Sequence, residues 1–307
     1  MSATSLPPGS IPPDVRAAPV LPDVLPPVRA RGRIGTLVYR HPTFVAGAVI
    51  LVIMLFIAVF APFLGTVDPT ALAPAKRTRP PSALYWFGTD MLGRDVYSRV
   101  MYGTRVSLVV GFGVAAFASA IGVLIGVVSG FVRWLDSVIM RVMDGLMSIP
   151  PILLAIALMA LTRGSIGNVI VSITVSQVPQ VARLIRGVVL SLREQPYVEA
   201  AVASGTHAPK IILRHILPNT VAPLTVQATY ICAAAMITEA ILSFIGAGTP
   251  PTIPSWGNIM AEGRALWQVK PYIVFFPAAF LSLTVLAVNL LGDGLRDALD
   301  PRMAKRL

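Results

Sequence analysis

The chain has 307 residues, of which 55% are hydrophobic and only 13% charged. This balance excludes an ordinary soluble domain, in which about 25% of the residues are charged. The formal net charge of +11 does not indicate nucleic-acid binding, because the basic residues lie between apolar blocks and not along one face. The single cysteine, Cys232, excludes a disulfide framework and a cysteine metal cage. We therefore expect a membrane protein.

The first 43 residues are rich in proline, with eight prolines before Pro42, and they lack the apolar core of a cleaved signal peptide. We predict that residues 1–43 form a disordered cytoplasmic tail; a proline-rich partner motif is the alternative. Residues 302–307 are predicted to form a short cytoplasmic C-terminus.

Six runs are long and apolar enough to cross a bilayer as helices, which takes about 20 residues. They cover residues 44–64, 106–132, 145–161, 165–182, 221–246 and 272–291. After the fifth run, prolines and glycines interrupt the uncharged stretch that continues to Ala261, so we read it as a loop and exclude a seventh span. The sequence thus predicts an all-α, polytopic membrane protein with six transmembrane helices within residues 44–301.

The distribution of Lys and Arg favours a topology with both termini in the cytoplasm, because inward loops are enriched in basic residues. On that threading, most of the 25 Lys and Arg residues face inward. Six of the others lie in or beside one long outward loop, where the rule is weaker: Lys76, Arg77, Arg79, Arg94, Arg99 and Arg105. We expect residues 187–217 inside, and residues 68–100 and 249–269 outside.

The inward segment 187–217 is too polar to span a membrane and too long for a minimal turn. Pro196 can open a helix, the alanine-rich residues after it continue the helix, and Gly205 can stop it in a backbone conformation with positive φ. A second short helix is predicted over residues 208–216. Small side chains on a short exposed helix allow close docking into the groove of a partner, and Glu199 can pair with a cation there.

The spacing Glu199-Ala200-Ala201, three residues, Gly205, then Ile216-Leu217-Pro218 resembles the EAA signature of permease subunits in binding-protein-dependent ABC importers. Six further motifs resemble the C-type permease of dipeptide, oligopeptide and nickel importers. They are Trp86-Phe87-Gly88-Thr89-Asp90, Leu92-Gly93-Arg94-Asp95, Ser191-Leu192-Arg193-Glu194, Glu239 followed by Leu242-Ser243-Phe244-Ile245-Gly246, Pro254-Ser255-Trp256-Gly257-Asn258, and the run from Asn289 to Pro301. The resemblance covers residues 44–301.

This resemblance implies the fold of a type I ABC importer permease in the bacterial inner membrane. It implies a homologous second permease subunit, two cytoplasmic ATPases that bind ATP and Mg, and an extracytoplasmic solute-binding protein. The ATPase-coupling loop would contain Glu199, Ala200, Ala201, Gly205 and His207. No catalytic or nucleotide-binding site is expected on this chain, because a phosphate-binding loop needs Gly-Lys-Ser/Thr and its four lysines follow Ala, Pro, Val and Ala.

Two features inside the predicted spans have both a structural and a functional interpretation. Gly122, Gly126 and Gly130 recur every four residues, which favours close helix packing within this chain or with a second permease; neutral use of glycine is the alternative. Glu239 is the only acidic residue well inside a span. We expect it to make an interhelical pair near the outer end of the fifth span, with solute contact as the alternative.

The three histidines, His41, His207 and His215, lie in predicted cytoplasmic segments without partners at metal-ligand spacing, so we expect no metal site. A membrane enzyme needs nucleophiles, metal ligands or acid–base pairs at membrane depth, and the predicted spans offer no such set. The remaining alternative to an import permease is a self-sufficient secondary transporter or channel, which requires intramembrane coupling charges or broken-helix repeats. The sequence does not name the solute: peptides, nickel, glutathione and opine-like solutes all fit the resemblance.

Overall fold

The computed structural model describes residues 42–299, with side chains to residue 297. The tail prediction up to residue 41 and the prediction for residues 302–307 lie outside this range. Within it the chain is helical and contains no strand, and one isolated bridge joins Thr89 to Asp95. The expected all-α class is therefore confirmed.

Residues 42–299 form ten α-helices, numbered α1 to α10 in chain order. They are α1 (Pro42–Phe60), α2 (Val96–Phe131), α3 (Arg133–Met147), α4 (Pro151–Ala160), α5 (Ile166–Arg193), α6 (Pro196–Ala203), α7 (Ala208–Ile211), α8 (Leu217–Phe244), α9 (Trp256–Gly263) and α10 (Tyr272–Leu299). A π-helical turn, Ile212–Ile216, joins α7 to α8 without a break.

Four described segments are long and apolar enough to cross a membrane: Pro42–Phe63, Val96–Phe131, Ala208–Phe244 and Tyr272–Asp297. The pair α3 and α4 is a fifth only if counted as one broken span, because the two helices meet at 86°. α5 is also long enough to cross a membrane, but it is more polar than these four segments. The six-span count is therefore not confirmed as predicted.

The predicted third span, residues 145–161, is wrong as a single helix. α3 ends at Met147, and α4 has 10 residues, too few to cross a bilayer alone. The physical reason is the Pro150-Pro151 pair. Pro151 opens α4 in its first turn, while the residue before a proline is pushed out of the helical region, and Pro150 has ψ of 131°.

The second predicted span begins too late, because α2 starts at Val96 and not at residue 106. The Asp95 side chain caps the helix by accepting a hydrogen bond from the Ser98 amide at 2.8 Å. Arg99 and Arg105, which interrupt the apolar run in the sequence, both have partners in the structure. At about 1.5 Å per residue, a helix of 36 residues is longer than the bilayer core is thick, so α2 extends beyond it.

Other helix boundaries also differ from the predicted ones. α5 continues to Arg193, so the coupling loop begins about seven residues later than predicted. Arg183 and Arg186 of α5 pair with Asp144 and Asp136 of α3, which lets the helix continue through charged positions. The short helix predicted over residues 208–216 is α7 and the π turn, continuous with α8. α9 begins at Trp256, within the stretch predicted as a loop up to residue 261.

The main core forms where α2 packs against α5 and α8, and α10 packs against α1 and α8. A second, smaller cluster surrounds Trp256 at the start of α9. The Trp256 indole is fully buried and donates a hydrogen bond to the carbonyl of Val100 in α2 at 3.1 Å. α9 is thereby held against the early part of α2.

Candidate functional site

The predicted coupling helix is α6, which runs from Pro196 to Ala203. Pro196 lies in the first turn, where its missing N–H leaves no hydrogen bond unmade. Val198 is buried and anchors the helix to the core, whereas Glu199 and Ala200 are exposed and Ala201 is half-buried. The helix thus packs on the core through Val198 and Ala201 and presents most of its surface outward.

Gly205 ends α6 in a left-handed conformation, with φ of 75°. Its amide donates to the carbonyl of Val202 at 2.9 Å, and the Thr206 amide donates to that of Ala201 at 3.0 Å, which is the Schellman arrangement. A Cβ at Gly205 would meet nothing within 4 Å. The backbone, and not a lack of space, therefore favours glycine at this position.

A groove with a volume of about 580 Å³ lies beside α6. Its lining includes Glu199, Val202 and Thr206 together with Phe131 at the end of α2. Within the described residues, Glu199 makes no ion pair, and its carboxylate lies at the surface. The groove therefore combines apolar side chains with one positive charge, from Arg193, and one negative charge, from Glu199.

Arg193 fastens the start of this loop to the bundle. Its Nη1 donates to the carbonyls of Gly130 at 2.8 Å and Phe131 at 3.3 Å, and the guanidinium lies 5.2 Å from the centre of the Phe131 ring. A cation at the C-terminal end of a helix is favoured by the helix dipole. The sequence motif Ser191-Leu192-Arg193-Glu194 gives no indication of this contact, because its partners lie about 60 residues earlier in the chain.

The two loop histidines occupy different surroundings. His207 is exposed and precedes α7 without a capping hydrogen bond from its side chain. The ring of His215 in the π turn lies 6.0 Å from that of Tyr197 in α6. No group of three His, Cys, Asp or Glu side chains suited to a metal ion occurs in residues 42–297.

The three glycines of α2 face α5. A Cβ at Gly122 would collide with Val181, one at Gly126 would lie 2.7 Å from the Ile185 Cβ, and one at Gly130 would lie 2.8 Å from the Val189 Cβ. The four-residue periodicity of the glycines therefore matches a ridge of β-branched side chains on α5. The structure places this contact within the chain.

Glu239 is fully buried near the end of α8. Ser243 donates to its Oε1 at 2.8 Å, and Ser107 of α2 donates to its Oε2 at 3.4 Å. In the described part of the chain, no cation lies within ion-pair distance of this carboxylate. The interhelical partner of Glu239 is thus a hydroxyl group, and the carboxylate is enclosed by its own chain.

The same hydroxyl network fastens the loop before α9. Ser243 lies 3.1 Å from the Thr249 hydroxyl, which also accepts from the amide nitrogen of Asn258 at 3.0 Å. The two N–H groups of the Asn258 side-chain amide are shared between this hydroxyl and the carbonyl oxygens of Thr249, Pro250 and Ile253, which lie 3.0–3.2 Å from Nδ2. The Pro254–Asn258 motif therefore closes a loop onto the end of α8.

A compact charge cluster lies near the N-terminal end of α2. Asp90 Oδ2 accepts from Arg94 Nε and from Arg99 Nη1, both at 2.7 Å. Glu262 of α9 pairs with the same two arginines. Asp90 and Arg99 are 0% and 1% exposed, whereas Glu262 is 24% exposed, so the cluster compensates two fully buried charges and reaches the surface at Glu262. Helix periodicity gives no signal for this cluster, because Asp90 and Arg94 lie in a turn and Arg99 and Glu262 lie on two helices distant in sequence.

Two family profiles match the chain. The family described as "Binding-protein-dependent transport system inner membrane component" matches residues 118–305. "N-terminal TM domain of oligopeptide transport permease C" matches residues 38–81.

Two curated relatives cover most of the chain. "Probable peptide ABC transporter permease protein y4tQ" of Sinorhizobium fredii is 53% identical over 87% of this chain and 91% of its own length. "Dipeptide transport system permease protein DppC" of Alkalihalophilus pseudofirmus is 42% identical over 86% of this chain and 87% of its own.

The fold also resembles a solved transporter structure. A chain of the inward-facing MetNI methionine ABC transporter, in its CY5 native crystal form, aligns with a TM-score of 0.52 at 22% identity, over 66% of this chain and 96% of that chain. At this identity the likeness concerns the fold alone. Profile and relatives together establish that the chain belongs to the inner-membrane permease family of binding-protein-dependent ABC transport systems.

Proposed function

We propose that this chain is the permease subunit of an ATP-driven importer and that α6 is the element through which ATPase subunits act on it. Two ATPases carrying ATP and Mg, a homologous second permease and an extracytoplasmic solute-binding protein complete the proposed complex. The proposed topology places α6 and both termini in the cytoplasm of a bacterium.

The attachment of α6 at both of its ends is the observation that carries this proposal. On one side Arg193 ties the loop to the last carbonyls of α2. On the other side α7 and the π turn continue into α8 without a break. A force applied to α6 would therefore reach α2 through Arg193, and α8 through the short turn at Gly205 and α7, whereas a flexible connector would absorb it.

Peptides are the proposed class of solute. The support is that two relatives covering 86% or more of the chain are named as peptide or dipeptide permeases. Solute selection is proposed to rest mainly with the solute-binding protein, because this chain supplies only half of the pathway.

A self-sufficient secondary transporter is the less favoured reading. Such a protein needs an intramembrane charge that meets its coupling ion. Glu239 is the buried acid in question, but its two oxygens are occupied by serine hydroxyls and the loop before α9 covers them. This arrangement supports a role for Glu239 in holding the loop.

The test uses two substitutions in α6 and its cap, with the transporter co-expressed as a whole. Gly205→Val forces a β-branched residue into positive φ, and Glu199→Lys reverses the exposed charge. We expect both variants to accumulate normally, to lose ATPase subunits during purification, and to lose solute uptake.

Gly246→Val is the matched control for backbone strain. Gly246 also ends a helix, has φ of 83°, and would place its Cβ in open space. It lies at the other end of the bundle, so this variant should retain the ATPase subunits. Wild-type uptake and ATPase retention in both α6 variants would contradict the coupling assignment.

A further inference from the structure

α3 has a surface that the proposed function does not use. We propose that this helix lies in the headgroup layer of the membrane, parallel to its surface, with Trp134, Val138 and Val142 among the acyl chains. Arg133 and Arg141 then bind the phosphates of anionic lipids. This inference goes beyond the proposed function and does not depend on ATPase docking.

The orientation follows from the break between α3 and α4. α4 is entirely apolar and packs on α5, whereas α3 is amphipathic and makes an angle of 86° with α4. If α4 enters the bilayer, a helix perpendicular to it lies along the surface. α3 follows directly after Phe131, where Arg193 binds, so it lies at the same end of the bundle as α6.

Three sectors run along α3 when its residues are placed at about 100° intervals. The inner sector packs on the core through Met143, Ile139 and Leu146. The second sector is apolar yet open: Trp134, Val138 and Val142 are 73%, 59% and 56% exposed. The third sector is polar, and its exposed members are Arg133, Ser137, Arg141 and Asp144. A helix that meets protein, hydrocarbon and water along separate sectors suits a membrane interface.

The charges of α3 are unevenly compensated. Asp136 receives two hydrogen bonds from Arg186, at 2.5 and 2.6 Å, and Asp144 pairs with Arg183. Between residues 42 and 297, neither Arg133 nor Arg141 has an ion-pair partner. The exposed part of α3 therefore keeps two positive charges beside its apolar sector, which complements an anionic lipid surface.

A lipid occupant fits this surface better than a second permease. The apolar sector continues into exposed Ile149 and Leu153, which lead toward the membrane-inserted helix. A protein covering the apolar sector would also desolvate the adjoining arginines without a known counter-charge. Lipid phosphates supply that charge, and tryptophan favours the level of the headgroups.

The first experiment measures depth in the assembled transporter, reconstituted in lipid nanodiscs. Nitroxide labels are placed at Val138→Cys and Ser137→Cys in a Cys232→Ala background, and their collision rates with oxygen and with a water-soluble nickel chelate are compared by EPR. We expect oxygen to dominate at position 138 and the chelate at position 137. A label at position 138 that is shielded from both reagents would show a protein partner, and chelate dominance there would show a solvated face; either outcome overturns the proposal.

The second experiment tests the arginines. Retention of phosphatidylglycerol is compared with that of phosphatidylcholine by native mass spectrometry for Arg133→Gln and Arg141→Gln. Each substitution is expected to weaken phosphatidylglycerol binding by about fivefold. Arg163→Gln is the control, because Arg163 is exposed in the loop before α5, at the opposite end of that helix. Equal retention in all three variants would overturn the lipid assignment.

Discussion

Gly126→Ala is expected to destabilise the isolated chain, although alanine is the better helix former. An added Cβ would lie 2.7 Å from both the Ala182 carbonyl oxygen and the Ile185 Cβ, whereas ordinary contacts begin at 3.4 Å. α2 and α5 must therefore separate by several tenths of an ångström along their contact. Overpacking of this kind costs about 1–3 kcal/mol.

Gly187→Ala is the matched substitution on the same pair of helices. Gly187 is exposed on α5, and its added Cβ would meet nothing within 4 Å. Only the gain in helix propensity remains there, which is at most about 1 kcal/mol. Because both substitutions gain the same helix propensity, the two variants should differ by the overpacking cost alone, about 1–3 kcal/mol in the free energy of unfolding.

The assay is thermal unfolding of the purified chain in detergent, where no second permease contributes contacts. At about 2–4 °C per kcal/mol, Gly126→Ala should unfold several degrees below Gly187→Ala. Equal midpoints for the two variants would refute the reasoning that the glycines of α2 permit the close approach of α5.

Three further outcomes are expected. Asp90→Asn leaves the buried arginines undercompensated and should lower stability by about 3–5 kcal/mol in thermal unfolding, whereas Asp68→Asn in the exposed loop should change it little. Thr206→Cys, in a Cys232→Ala background, should react with an impermeant thiol reagent only in inside-out vesicles; labelling from outside intact cells would contradict the proposed topology. The purified chain alone should show no saturable ATP binding in calorimetry, and a stoichiometric site would contradict the permease reading.

The apolar runs predicted the positions of the four membrane-length helices, but not the break between α3 and α4 or the lengths of the helices. A search for charge-free runs starts the second span at Val106, because it does not reveal that Arg99 forms ion pairs with Asp90 and Glu262. The same search does not reveal that Arg105 donates hydrogen bonds to the carbonyls of Ala58 and Val59 near the end of α1. Charges that are neutralised by residues distant in sequence do not end a helix.

The glycine periodicity in α2 indicated a close helix contact but not its partner, because the β-branched ridge on α5 follows some 60 residues later. The cap at Gly205 could be predicted, since the requirement for positive φ is local. The clamp of Arg193 on α2 could not, because it depends on how two distant helix ends meet. Likewise, composition alone gave no sign that serine hydroxyls enclose Glu239.

The most direct test of the central claim is cross-linking between α6 and an ATPase subunit in the assembled transporter. Val202→Cys places a thiol on an exposed position of α6 beside the groove, and Leu84→Cys places one on an exposed loop at the other end of the bundle. With a short thiol-to-amine cross-linker, in a Cys232→Ala background, we predict an ATPase adduct from position 202 and none from position 84. A transport-competent complex in which position 202 gives no ATPase adduct would contradict the account.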